Sequence, residues 1–433
     1  MWGDKVTYKK IETMAYNLHI IKTDQFKKVL IRVNFRRKFD KAGITYRRLL
    51  GEVLLESTKK YPTARQMNLK YEDLYSASIA YNVTTNGKYQ LLSFQLGFLN
   101  DEYTEEGNAK ETIKFLNEVL FEPNVIDNRF ETKSFTKCKN FMSELISLKD
   151  ENPNAYARRR FLESMFKDSD LQYTGPGYIE DLENITEESL FEYYKSVLNS
   201  DYVDVFVCGN VDEKEIEKIF KENFQIHTVK KKAASPIITQ DKFRKRVRNV
   251  IDKRDIKQSQ LIIGAKIEPM SEFERKYVGN LYAYILGGGG GNSLLFRTVR
   301  EKYSLCYAIS ATIVPTLGYI SIQSGLDASS TKKAISLIRK NIKDMSLGNF
   351  SESQIEDFKM ITKTIRKEIF DNAINIIDFY QLKEYNGLDD YEVLERKLEK
   401  LTKESVMQFS KKVKLDTIYL LEGGSNDEKD TSK

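Results

Sequence analysis

Ile185-Thr186-Glu187-Glu188-Ser189 opens a helix that leads into DYVDVFVCG, Asp201 to Gly209. Leu401-Thr402-Lys403-Glu404-Ser405 opens another that leads into DTIYLLEG, Asp416 to Gly423. In both, a threonine stands where a helix needs an oxygen to accept from its unpaired amides, so Thr186 and Thr402 read as N-caps. The caps are 216 residues apart and the closing glycines 214 apart, about half of the 433-residue chain. That length exceeds one ordinary core. A tandem duplication of one αβ unit accounts for both facts.

Working outward, the first copy reads as strands at 18–21 and 29–35, helices from about Thr45 to Lys59 and Thr63 to Tyr71, and strands near Ser76 to Val83 and Tyr89 to Leu99. Asn86-Gly87 between the last two is a hairpin signal. In the 29–35 strand, Val29, Ile31 and Val33 alternate with Leu30, Arg32 and Asn34. Helical patterns follow at 111–120, 131–148 and 154–167. The second copy has a strand at 261–267, a helix at 273–286, paired strands at 308–313 and 318–324, helices from Ser330 onward, and a closing strand at 417–421. Tight hairpins make each sheet at least partly antiparallel, so the expected class is α+β rather than doubly wound. The expected domains are 1–229 and 250–424, joined by a basic linker at 230–249 and followed by a disordered tail at 425–433.

Between the copies of the motif lies Leu286 to Tyr307, five glycines (Gly287, Gly288, Gly289, Gly290, Gly291) followed by NSLLFRTVREKYSLCY. Asn292-Ser293 follows the glycines, where a phosphate loop needs Gly-Lys-Ser/Thr, and a helix rather than a strand precedes them. Two readings stay open: a flexible helix connection, or a bare backbone that a peptide approaches closely.

Composition removes several classes. With 69 Lys and Arg against 63 Asp and Glu, the net charge of +6 is too small for this length to indicate nucleic acid. Three scattered cysteines, Cys138, Cys208 and Cys306, fit a reducing compartment and no disulfide framework. No leader-like or membrane-spanning apolar run is visible, so a cytoplasmic protein is expected. The only histidines are His19 and His227, too few for a hydrolytic triad.

LGGG…LLFRTVREKYSLCYAIS, with YTGPGYIEDL at 173–182 and Gly209-Asn210, resembles the insulinase-like (M16) peptidase family. The resemblance implies a clam-shell arrangement of duplicated domains and a zinc motif, H-x-x-E-H, in the first half. Placing Thr58 to Pro62 on the family's helix exit puts Arg48, Gly51 and Glu52 on that motif. Arg48 cannot ligate zinc, Gly51 cannot act as base, and Glu52 alone is a poor ligand. Glu144 loosely matches the third ligand. No metal or cofactor is therefore expected in this chain. The resemblance further implies that Arg300 and Tyr307, seven residues apart, hold the scissile peptide against the zinc of another chain, with Gly287 to Gly291 along the substrate. The expected role is a non-catalytic subunit paired with an H-x-x-E-H subunit, acting on a peptide or protein. The alternative is a non-enzymatic scaffold of the same fold.

Overall fold

The computed structural model describes residues 6–226 and 233–423. The expected tail at 425–433 and the first residues of the linker, with His227, lie outside the described residues. Thirteen strands are described: β1 (Thr7–Glu12), β2 (Tyr16–Lys22), β3 (Lys28–Lys38), β4 (Ser78–Asn86), β5 (Tyr89–Leu99), the ribbon β6 (Val125–Ile126) and β7 (Arg129–Phe130), β8 (Tyr202–Gly209), β9 (Arg248–Arg254), β10 (Ser259–Ile267), β11 (Cys306–Val314), β12 (Tyr319–Leu326) and β13 (Val413–Gly423). The first large sheet has the order β1-β2-β8-β3-β5-β4, and the second β11-β12-β10-β13-β9. Read from the other edge, the second sheet repeats β2-β8-β3-β5-β4 strand for strand. In each, one pair is parallel, β2 with β8 and β9 with β13, and the remaining pairs are antiparallel. The α+β class and the duplication are thus written into the strand order.

Local chemistry explains the repeats. Thr186 accepts from the Ser189 amide while the Ser189 side chain accepts from the Thr186 amide, and Thr402 and Ser405 do the same. These capping boxes satisfy amides that a helix start leaves unpaired. Asn86 pairs with Tyr89 across the β4–β5 turn, where Gly87 has φ +57°.

Two edge strands lie outside the sequence reading. β1 and β9 carry charged residues on both faces (TYKKIE and RNVIDKR) and bury little. Residues 248–250, assigned to the linker and the lead-in to the second domain, begin β9, whose backbone pairs with β13 along its length.

The chain divides into two units, taken over the described residues. One gathers Met1–Leu148, Gly175–Pro236 and Lys367–Gly387; the other gathers Lys149–Thr174, Ile237–Arg366 and Leu388–Lys433. Each unit therefore takes one helix from the other half of the sequence. Helix Ala373–Asn386 packs on β8 and β3, and helix Pro153–Met165 packs on β13 and β10. In the first unit, Ile31, Val33 and Phe35 of β3 join Leu92, Phe94 and Leu96 of β5 in a core with Leu49, Leu50 and Val53. Each such side chain contributes about 1.5–3 kcal/mol when fully buried. The opposite face of β3 carries Arg32, Asn34 and Arg36, and helix Ala373–Asn386 covers it. Asn34 donates to Gln381 Oε1 at 2.8 Å and to the Tyr385 hydroxyl at 3.1 Å, and Arg32 pairs with Asp378. In the second unit, Phe161 lies 2.5 Å from where a Cβ on Gly264 would stand, so β10 and helix Pro153–Met165 meet closely there.

Among the described residues, no helix is long and apolar enough to cross a membrane.

Candidate functional site

Helix Lys41–Glu56 starts at Asp40, whose carboxylate accepts from the Gly43 amide at 2.6 Å. Its apolar face enters the core, which leaves Arg48 and Glu52, one turn apart, half-buried on its flank. Gly51 lies between them and is buried. A Cβ on Gly51 would stand 2.3 Å from the ring of Tyr81, on β4. The Tyr81 ring therefore occupies the space over the helix where a side chain at 51 would project. Its hydroxyl donates to Glu52 Oε1 at 2.6 Å. Burial and this carboxylate push the Tyr81 phenol well above its ordinary range. Burial lowers the Arg48 guanidinium, with Tyr81 and Glu52 opposing. Arg48 reaches the Val83 carbonyl at 3.5 Å, and its Nε has no hydrogen-bond partner. Behind them Cys138 is buried, which pushes its thiol up to about 12.

These residues do not fit a zinc ion. A guanidinium offers no lone pair, Gly51 offers no base, and the one carboxylate is engaged by a phenol. Glu144 is exposed on helix Thr132–Leu148. Among the described residues, no three His, Cys, Asp or Glu are grouped so as to hold a metal.

The packing of Tyr81 over Gly51 has a measurable consequence. Gly51→Ala should lower the stability of this unit by about 1–3 kcal/mol, the usual cost of overpacking. The same change on a Tyr81→Ala background should cost much less, because contacting residues couple. Equal costs in both backgrounds, measured by urea unfolding, would contradict the contact.

The glycine run lies in the other unit. The helix entering it has two wide π turns, Glu274–Val278 and Tyr284–Gly288, and the helix leaving it has a third, Phe296–Lys302. Such turns recur at functional sites. Gly287 is buried, and a Cβ there would lie 2.7 Å from the Ala311 amide nitrogen of β11. Gly290 has φ +55° and its surroundings are open. The loop is anchored rather than slack. Ser293 Oγ donates to the Gly290 carbonyl at 2.8 Å, Asn292 donates to Asp357 at 2.7 Å, and Gln354 donates to the Asn292 carbonyl at 2.6 Å.

Past the loop, Arg300 is exposed on helix Phe296–Lys302. Its guanidinium lies 4.5 Å from the Phe296 ring centre and 5.9 Å from that of Tyr307. Among the described residues it has no hydrogen-bond or ion-pair partner. Tyr307 is 84% exposed. The sequence alternation places it on the same face as Ile309, Ala311 and Ile313, which are buried. A bulge explains the difference: Cys306 pairs with Leu326 and Ala308 with Gly325, so Tyr307 is the extra residue. Among the described residues β11 is an edge strand, paired only with β12. Arg300 and Tyr307 thus stand together at the start of β11, and Gly287 packs against Ala311 of the same strand. Sequence reasoning missed Tyr81; the signals were its inward position on β4 and a glycine within the facing helix.

Residues 184–362 match the family model described as Peptidase M16 inactive domain. The chain is 27% identical over 410 residues to the Bacillus subtilis protein named "Probable inactive metalloprotease YmfF", covering 94% of this chain and 95% of that one. It superposes on a conserved protein from Enterococcus faecalis V583 with a TM-score of 0.88 and 26% identity, over 96% and 99% of the two chains. A Pseudomonas fluorescens peptidase M16 inactive domain shares the fold, with a TM-score of 0.76, 16% identity, and 97% and 99% coverage.

Proposed function

Because this chain is an M16-family protein, we propose that it is the non-catalytic subunit of a two-chain zinc peptidase, whose metal and general base sit in an H-x-x-E-H partner. Its contribution is substrate holding. Arg300 and Tyr307 donate to the carbonyl oxygen of the scissile peptide and to the charge that develops on it. A guanidinium and a phenol suit that task as fixed donors. The substrate backbone runs along β11 and past Gly287 to Gly291, where backbone groups are free to pair and few side chains obstruct.

The observation that carries this reading is an asymmetry. Where the zinc motif is expected, Tyr81 fills the space and engages Glu52. At the same time Arg300 and Tyr307 remain exposed, and Arg300 is unspent. A chain kept only as a scaffold has no need of an unpaired arginine beside an outward-bulged tyrosine. Cys138, Cys208 and Cys306 are free, which agrees with a reducing, cytoplasmic setting.

The test is composition. A tagged copy purified from its own cells should bring down an H-x-x-E-H chain in equal amount, identified by mass spectrometry. Recovery of this chain alone, or only with proteins lacking that motif, would favour the scaffold.

A further inference from the structure

Helix Glu352–Glu368 leaves Met360, Ile361 and Ile365 exposed, by 61%, 38% and 55%. Single exposed apolar residues are ordinary, but three large ones on one helix mark a surface that something covers. The stripe begins at the glycine run. Gln354 donates to the Asn292 carbonyl and Asp357 accepts from the Asn292 side chain, just past Gly291. Ile361 and Ile365 follow Gln354 and Asp357 at the spacing i, i+3, i+7, i+11, so all four lie along one side of the helix. From Asp357 to Ile365 that side runs about 12 Å, the length of about four residues of extended chain. The other half of the sequence repeats the feature. Helix Thr132–Leu148 has the same 17 residues and starts 220 residues earlier. Ser134, Phe135 and Cys138 are buried there, as are Gln354, Ile355 and Phe358. Phe141 and Leu145 are exposed at the positions of Ile361 and Ile365. Lys139 and Lys359 are the one identical pair between the two helices, yet both helices have large apolar residues exposed at these same two positions.

The residues outside the described ones, 1–5, 227–232 and 424–433, are mostly polar and offer no such cover. An extended peptide does. Ile361 and Ile365 are one helical turn apart, about 6 Å along the axis, and same-side residues of a strand are about 6.6 Å apart. Neighbouring side chains on one face of such a peptide therefore meet the two isoleucines in step. We propose that the side of helix Glu352–Glu368 bearing Ile361 and Ile365 receives large apolar side chains of the substrate peptide where it continues past the glycine loop. The inference rests on the peptidase-subunit reading and gives it a substrate class. That class is peptides with Leu, Ile, Met or Phe within about four residues of the stretch lying on Gly287 to Gly291.

The experiment uses the full chain and two fluorescent peptides of equal length and net charge. One carries Leu and Phe at alternate positions, the other Ser and Asn at the same positions. Anisotropy titration should show the apolar peptide binding at least about tenfold tighter. The double variant Ile361→Ser, Ile365→Ser should weaken the apolar peptide by about 10- to 100-fold and leave the polar one unchanged. The comparison of the two peptides on the unmodified protein stands whether or not the variant folds. Equal binding of the two peptides would overturn the proposal. So would a double variant that binds both peptides as before but loses self-association, or loses assembly with an H-x-x-E-H subunit, since the stripe would then be a contact between subunits. Arg300→Ala separates this inference from the reading it rests on, because it should lose turnover and keep the apolar preference. Turnover that depends on Arg300 without any apolar preference would overturn the inference alone. An apolar preference that needs Ile361 and Ile365, with turnover indifferent to Arg300, would overturn the subunit reading and retain the peptide-binding side of the helix.

Discussion

Arg300→Ala should depress peptide turnover by the proposed complex of this chain with an H-x-x-E-H subunit by about 10²–10³, the usual cost of losing one aimed oxyanion donor. Tyr307→Phe removes only a hydroxyl and should fall in the same range. Neither change should alter assembly or unfolding. Arg300 is exposed, with its guanidinium over the faces of Phe296 and Tyr307, and Tyr307 is itself exposed at an edge-strand bulge. The kinetic signature separates two roles. A transition-state donor lowers kcat and kcat/KM together, whereas a residue that merely grips the peptide raises KM. Arg300→Lys keeps the charge but not the planar fork, so it should rescue only part of the loss. Unchanged turnover in all three variants would show that the pair is a remnant.

The largest expected effect on stability lies elsewhere. Asp201→Ala should cost about 3–5 kcal/mol, the range for removing one partner of a buried ion pair. Asp201 caps helix Glu187–Ser200 and its side chain is fully buried. It pairs with Arg47, also fully buried, and with Arg37. Arg47 has one further anchor, the Phe35 carbonyl at 3.0 Å, whereas Arg37 also reaches Ser196 and Ser200 and faces solvent in part. Losing Asp201 leaves Arg47 charged and uncompensated in the core, because a guanidinium does not shed its proton. Natural domains are stable by about 5–15 kcal/mol, so the loss would be a large part of the total. Denaturant unfolding of the variant checks this. A cost under about 1 kcal/mol would mean that water reaches Arg47 and that the pair is no stronger than a surface one.

Which features were legible in the residues follows from how local their causes are. The N-caps Thr186 and Thr402 and the Asn86-Gly87 hairpin depend on neighbours in the chain, and the structure has them where the sequence places them. The repeated strand order follows from the duplication that those caps mark. What escaped was set by partners distant in sequence. β9 has charges on both faces and its first residues, 248–250, read as linker and lead-in, but β13 supplies its backbone partners. Nothing near Arg47 in the chain marks it for burial; Asp201, 154 residues away, allows it to be buried. The outward turn of Tyr307 depends on a bulge that alternation alone does not reveal. The motif positions Arg48, Gly51 and Glu52 could be read as unable to hold zinc, but not that Tyr81 would occupy the space over Gly51. The placing of helix Ala373–Asn386 on the first sheet depends on which sheet it reaches, not on its own periodicity.

The most direct test of the central claim is a reconstitution titration. The H-x-x-E-H subunit is held at fixed concentration, this chain is added in steps, and cleavage of a reporter peptide is followed. The account predicts little turnover by the zinc subunit alone and a rise that saturates at one equivalent of this chain. Turnover that is already full without it, and does not change as it is added, would contradict a role in holding substrate.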